Sequence, residues 1–375
     1  MTNPLIAEIE AELAKVSDPE LHRPITELGM VESISINSGV ADIRILLTIS
    51  GCPMRDRLNK DVTEAALKVS GVERVVVNFG VMNDEQRDRV KKLLRGGREK
   101  FIPFAQPESL TRVIGISSGK GGVGKSSVTV NLAVSLANRG FKVGLLDADV
   151  YGHSIPRALG IEGKRPTAID QTFIPLEAHG VKTVSIEMFK PDRADPVAYR
   201  GPLLHRVLEQ LLSDAYWGDL DFLLLDLPPG TGDIAISLGQ LIPGSEIIVV
   251  TTPQIAAAEV AERAGRIAHQ LKQQIIGVIE NMSAYLPAGA SEKVALFGEG
   301  GGEETARRLS TLVGADVPLL GKIPFDIALR EGGDIGNPIV NSNPNSAAAQ
   351  EFESVIDQLS LRKRSLLGVR LGLST

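Results

Sequence analysis

Residues 119–126 read Gly-Lys-Gly-Gly-Val-Gly-Lys-Ser, the pattern G-x-x-x-x-G-K-[ST], and the chain on either side restricts what can be built around it. An apolar run at 113–117 precedes it and predicts a strand; a helical run at 125–139, closed by Gly140, follows. Glycines between a strand and a helix let successive backbone N–H groups converge on one point, and the helix adds its positive end behind them. Such a loop cradles phosphate oxygens. Lys125 then reaches the β- and γ-phosphates of a nucleoside triphosphate, and the Ser126 hydroxyl ligates Mg²⁺. The competing reading is a chance glycine-rich turn, but the strand before and the helix after are the two conditions that a functional loop requires. The candidate nucleotide contacts are Gly119, Lys120, Gly121, Gly122, Val123, Gly124, Lys125, Ser126 and Ser127.

From Arg112 onward the chain alternates short apolar runs with helical segments. The runs fall at 113–117, 142–146, 222–225, 246–251, 275–279 and 319–323. All-apolar strands separated by helices predict an α/β fold, a mainly parallel sheet covered on both faces. Ligands of such sheets bind beyond the carboxyl ends of the strands. Asp147 and Asp226 each stand at such an end, and Asp149 lies just past one. Asp226 is placed to hold a water of the Mg²⁺ shell. Asp149 is the candidate for orienting an attacking water, and Asp147 lies near the metal or behind it. A helix cap is the plainer alternative for Asp147 and Asp149.

The first 82 residues predict a separate small α/β unit. A helix at 3–16 is followed by strands at 31–36 and 41–49 around the turn Asn37-Ser38-Gly39, a helix at 54–69 and a strand at 72–79. Residues 83–110 read as a linker, charged at first and then broken by Pro103 and Pro107. The second domain spans 111–361, leaving a basic and apolar tail at 362–375.

Composition narrows the function classes. A net charge of −6 argues against a general nucleic-acid binder. No apolar run reaches the roughly 20 residues that a membrane span takes, and nothing resembles a signal peptide, so a cytoplasmic protein is expected. One cysteine, Cys52, excludes a disulfide within the chain and any site built from several of its own thiols. The five histidines, His22, His153, His179, His205 and His269, show no metal-ligand spacing. In the tail, Gly368 and Gly372 interrupt a helix that could otherwise lie on a membrane.

The second lysine of the loop, Lys120, brings a resemblance into view. K-G-G-x-G-K-[ST] is the deviant phosphate loop of the MinD/ParA/Mrp group of P-loop ATPases. Asp147-Ala148-Asp149-Val150-Tyr151-Gly152-His153-Ser154-Ile155-Pro156 resembles the switch segment of its Mrp/ApbC branch, with His153 where that branch usually has proline. Arg200-Gly201-Pro202, Asp226-Leu227-Pro228-Pro229-Gly230-Thr231-Gly232-Asp233, Val278-Ile279-Glu280-Asn281-Met282-Ser283 and Phe297-Gly298-Glu299-Gly300-Gly301-Gly302 are also similar to it. The resemblance implies an ATP-hydrolysing homodimer with slow turnover, in which Lys120 crosses to the partner's nucleotide. It also implies that Asn281 reads the adenine edge and that Pro324 and Asp326 pack beside the base, against which a plain turn is the alternative. A positioning or scaffold ATPase of the MinD or ParA kind is the rival reading.

The Mrp/ApbC branch carries iron–sulfur clusters between two subunits through C-x-x-C, placed between the N-M-S and F-G-E-G-G-G segments. In this chain that interval, 283–296, has neither cysteine nor histidine. Three readings stay open: a cluster bound elsewhere with Cys52 as one ligand, an ATP-dependent switch that carries no cluster, or a different client. The N-terminal segments Asp18-Pro19-Glu20, Glu27-Leu28-Gly29-Met30, Ser50-Gly51-Cys52-Pro53 and Gly71-Val72 resemble the SufT/PaaD-like domain. That likeness implies apo iron–sulfur proteins or cluster-assembly proteins as partners. Cys52, at a strand-to-helix junction, is a candidate thiol ligand or else a small buried hydrophobe.

Overall fold

The computed structural model describes residues 4–48, 54–94, 101–150, 152–169, 172–190, 201–230, 232–287 and 292–361. Cys52, Tyr151, Arg200, Thr231 and the tail 362–375 lie outside them.

In chain order the elements begin with α1 (Pro4–Leu13), β1 (Val31–Asn37), β2 (Val40–Leu47), α2 (Arg55–Ala66), β3 (Arg74–Val81) and α3 (Asp84–Leu94). They continue with β4 (Arg112–Ser118), α4 (Lys125–Asn138), β5 (Val143–Asp147), α5 (Ile155–Ala158), β6 (Ala168–Ile169), β7 (Thr172–Phe173), β8 (Leu176–Ala178) and β9 (Val181–Ser185). After these come α6 (Gly201–Ser213), β10 (Phe222–Asp226), α7 (Asp233–Leu241), β11 (Glu246–Thr251), α8 (Ile255–Gln270), β12 (Gln274–Tyr285) and α9 (Gly301–Val313). The last are β13 (Leu319–Phe325), α10 (Ile327–Ile335), α11 (Ile339–Ser342) and α12 (Ala347–Leu361). Two compact units divide the chain, Met1–Phe101 with Pro166–Ile174, and Ile102–Arg165 with Pro175–Thr375.

In the first unit β1 pairs antiparallel with β2, and β3 joins β2 in parallel. Ser38 and Gly39 both take positive φ, 46° and 78°, in the two-residue connection between Asn37 and Val40. That geometry matches the right-handed twist of the strands it joins. Ala41, Ile43, Ile45 and Leu47 alternate into the core with Ile9, Leu13, Leu58 and Val62 of α1 and α2.

Within the expected linker, residues 84–94 form a helix. Asn83 Oδ1 accepts from Gln86 N–H and Gln86 Oε1 accepts from Asn83 N–H, each at 2.9 Å. This reciprocal cap, with Asp84 and Glu85 in the first turn, starts a helix that few apolar residues would announce.

The second unit is built on an eight-stranded sheet, β13-β12-β11-β4-β10-β5-β9-β8. All its pairings are parallel except β8 with β9 at the edge. Every residue of β4, β5, β10 and β11 is buried, as a sheet covered on both faces requires. Helices α4, α5, α10, α11 and α12 pack together on one face and α6 to α9 on the other. Strands β6 to β9 were not expected from the sequence. Strand β12 runs on to Tyr285, six residues past the predicted end at 279, so Asn281 is internal to it. A bulge at Met282 (φ 60°) and the pairing of Tyr285 with both Phe325 and Val294 carry the strand onward. Among the described residues no helix is long and apolar enough to cross a membrane.

At the amino end of the sheet, Arg112 and Glu246 form a buried ion pair at 2.8 Å. The same guanidinium donates to Leu359 O at 2.7 Å and stacks over the Phe222 ring. Strands β4, β10 and β11 are thereby fastened to α12.

Candidate active site

The phosphate loop leaves β4 at the carboxyl end and enters α4. Two of its glycines are dictated by their surroundings. A Cβ on Gly119 would lie 2.4 Å from the Val260 carbonyl carbon of α8, so only glycine lets the loop pass that helix. Gly124 caps α4 with φ 78°, and a Cβ there would meet Asn281 Nδ2 at 2.2 Å. Gly121 and Gly122 are exposed, Val123 is buried, and Ser127 is half-buried just behind Ser126.

Strand register assembles the acidic residues. Asp226 ends β10 opposite Asp147 at the end of β5, and Asp147 is opposite Ser185 at the end of β9. Lys125 Nζ lies 2.6 Å from Asp226 Oδ1 and 4.0 Å from Asp149 Oδ2. Ser126 Oγ donates to Asp226 Oδ2 at 2.5 Å, and Thr129 Oγ1, one turn along α4, lies 2.9 Å from Asp226 Oδ1. Asp147 Oδ2 accepts from Ser185 Oγ at 3.0 Å and its Oδ1 from Asp149 N–H at 3.2 Å. Asp149 Oδ1 accepts from Gly152 N–H at 3.0 Å, which fixes the start of the following loop. Burial first, and then the charge of Asp226, push the Asp147 carboxyl well above the usual range.

Among the described residues, Lys125 thus lies against two carboxylates, with Asp147 behind them in register. Oxygen ligands and surplus negative charge fit a divalent cation such as Mg²⁺, and Ser126 with Asp226 are the residues that would hold it, directly or through water. A second observation fits a nucleotide. Asn281 is 3% exposed; its Nδ2 donates to Val123 O at 2.9 Å, while its Oδ1 has no partner. A buried acceptor beside the loop is what the amino group of adenine would satisfy.

The remaining sequence candidates sit differently. Lys120 is exposed, its Nζ donating to Gln254 Oε1 at 2.9 Å. Pro324 lies within β13. Asp326 caps α10, its Oδ1 accepting from Ala328 N–H at 2.8 Å, so that carboxylate has a structural task. Cys52 lies outside the described residues. Sequence reasoning missed Thr129, Ser185 and Gln254. The i+4 spacing of Thr129 from Lys125 was a usable signal for the first; the other two depend on cross-strand register and on α8 packing.

The family model for the NUBPL iron-transfer P-loop NTPase matches residues 109–360. The chain belongs to this family. A second family model, iron–sulfur cluster assembly protein, matches residues 6–78. An iron–sulfur cluster carrier protein of Mycobacterium tuberculosis (strain ATCC 25618 / H37Rv) is 57% identical over 98% of this chain and 97% of that relative. One from Deinococcus radiodurans is 40% identical over 96% and 97%. Among solved structures, a nucleotide-binding protein from Archaeoglobus fulgidus in complex with ADP is 32% identical, with a TM-score of 0.54 over 70% of this chain and 100% of that one. Membership of this P-loop family accounts for both the mainly parallel sheet and the loop at its carboxyl edge.

Proposed function

We propose that this chain is a Mg²⁺-dependent ATPase that works as a homodimer and drives iron–sulfur cluster assembly or transfer to apoproteins. The observation that carries the ATPase is the convergence of Lys125, Ser126, Asp226 and Asp149 under a glycine loop. Ser126 and Asp226 would hold Mg²⁺, which when bound would supply positive charge to the phosphate oxygens. Lys125 leaves Asp226 for the β- and γ-phosphates, the loop N–H groups hold the same oxygens, and the Asn281 acceptor selects adenine. Asp149 orients the attacking water. Lys120, exposed and held by Gln254, is available to a second copy's nucleotide, where it neutralises charge developing on the γ-phosphoryl group.

The cluster is cargo in this reading. A homodimer offers two Cys52 thiolates, short of the four that cluster iron usually takes, so ligands from a partner are needed to complete a site. The relatives' name and the N-terminal match to cluster-assembly proteins support the iron–sulfur role. A single cysteine, which leaves no disulfide possible within the chain, fits a reducing cytoplasmic setting.

ATP turnover of Lys120→Ala, Lys125→Ala and their mixture tests the arrangement. Each variant alone is expected to lose on the order of 10²–10³ in rate. The mixture should regain turnover, because a mixed dimer contains one site with Lys125 and the partner's Lys120. Silence in the mixture removes the trans role, and full activity in Lys125→Ala removes the ATPase. Anaerobic reconstitution with iron and sulfide, comparing wild type with Cys52→Ala, tests whether any cluster is held. A chromophore lost on substitution assigns Cys52 as a ligand.

A further inference from the structure

We propose that Thr129 is a positioning residue that holds the Asp226 carboxylate toward Ser126 once Lys125 has moved to the phosphates. The inference rests on the nucleotide reading above and names a residue that reading does not need. Thr129 is fully buried, and its single hydroxyl hydrogen has two acceptors at the same distance, Lys125 O and Asp226 Oδ1, both at 2.9 Å. One hydrogen cannot serve both fully.

Which acceptor takes it depends on Lys125. With the ammonium 2.6 Å from Asp226 Oδ1, that oxygen already has a charged donor, and the threonine can bond back to its own helix at Lys125 O. Once a phosphate draws the ammonium away, Oδ1 loses that donor inside a site where Asp226 is 0% exposed. A buried carboxylate oxygen without a donor is costly, and a charged acceptor outcompetes a neutral carbonyl for the hydrogen. Thr129 then fixes Oδ1, which keeps Oδ2 aimed at the Ser126 hydroxyl 2.5 Å away. Its backbone is held by α4, so it stays while Lys125 swings.

Metal affinity reports this role more directly than rate does. The affinity of full-length protein for a fluorescent ADP analogue is measured across a Mg²⁺ titration for wild type, Thr129→Val and Thr129→Ser. Valine fills the same space without the hydroxyl. The Mg²⁺ concentration giving half of the affinity gain is expected to rise about tenfold in Thr129→Val, the usual loss when a partner of a metal-holding carboxylate is removed. Thr129→Ser should recover most of it. A Thr129→Val profile that overlays wild type overturns the proposal, as does a Thr129→Ser profile no better than that of Thr129→Val, since the methyl group would then matter and not the hydroxyl. If wild type binds no analogue, or Lys125→Ala binds it as well as wild type, the nucleotide reading fails and the positioning role falls with it.

Discussion

The two ends of the large sheet hold buried charge on opposite terms. At the amino end, Arg112 is paired with Glu246, donates to a helix carbonyl and lies over a ring face. At the carboxyl end, Lys125 faces Asp226 and Asp149, with Asp147 directly behind them in register. The first arrangement pairs one cation with one anion among the described residues. Among the described residues the second sets two carboxylates against one lysine, an excess that a divalent cation would offset. A buried pair that closes on itself therefore marks a fastening. A buried cluster that does not close marks a site.

Breaking the fastening has the largest expected effect. Glu246→Ala leaves the Arg112 guanidinium buried without its carboxylate and should cost about 3–5 kcal/mol. Urea unfolding of full-length protein without nucleotide measures this. The affinity of the folded protein for ADP should be unaffected, because Glu246 lies at the far end of the strands from the loop. A loss under about 1 kcal/mol would make the pair no more than a surface-type contact and would collapse the contrast.

The opposite end should respond with the opposite sign. Asp147→Asn removes one of the crowded carboxylates while keeping the shape, and the Ser185 hydroxyl can turn to accept from the new amide. Stability without nucleotide or metal is expected to rise by about 1 kcal/mol, the ordinary gain when a strained functional position is relieved. Thermal unfolding of the metal-free protein checks it. ATP turnover should fall at the same time, so stability and activity part company at this residue. A variant less stable than wild type would show that Asp147 is a structural acceptor, no different in kind from Glu246.

How much of this was legible in the sequence followed from whether a feature was contiguous. The loop at 119–126, its strand and its helix lie in one stretch, and the apolar runs of a buried parallel sheet announce themselves, so the α/β fold and the place of the loop could be read directly. The i+4 spacing of Thr129 from Lys125 places it on the loop side of α4, but only the fold brings Asp226 beside its hydroxyl. Ser185 reaches Asp147 only through strand register, which no local pattern encodes. The helix at 84–94 was missed for a different reason. The Asn83–Gln86 cap nucleates it, and the segment has little apolar periodicity to announce a helix. Strand β12 outruns its expected end because cross-strand partners at Tyr285 sustain it past Glu280 and Asn281.

The smallest effect concerns a carboxylate on β12, between the two extremes. Glu280 is buried, and its Oε2 accepts from Gly302 N–H at 2.7 Å at the start of α9. Burial pushes its carboxyl up, against the pull of that bond and of the Lys322 charge, with Glu303 and Glu299 adding to the rise. A folded protein that keeps this proton to higher pH than the unfolded chain binds more protons. Stability from Glu280 is therefore fully present below the ordinary carboxylate pKa and is lost as pH rises through the raised one. Glu280→Gln supplies an acceptor for Gly302 N–H and has nothing to titrate. Its stability should thus fall less than that of wild type between about pH 4 and the raised pKa of Glu280, by under about 1 kcal/mol. Urea midpoints taken across that range decide the matter. Parallel slopes for the two proteins would mean that Glu280 is satisfied as an anion, and would move it from the surplus of charge at the carboxyl end to the balanced class of Arg112 and Glu246.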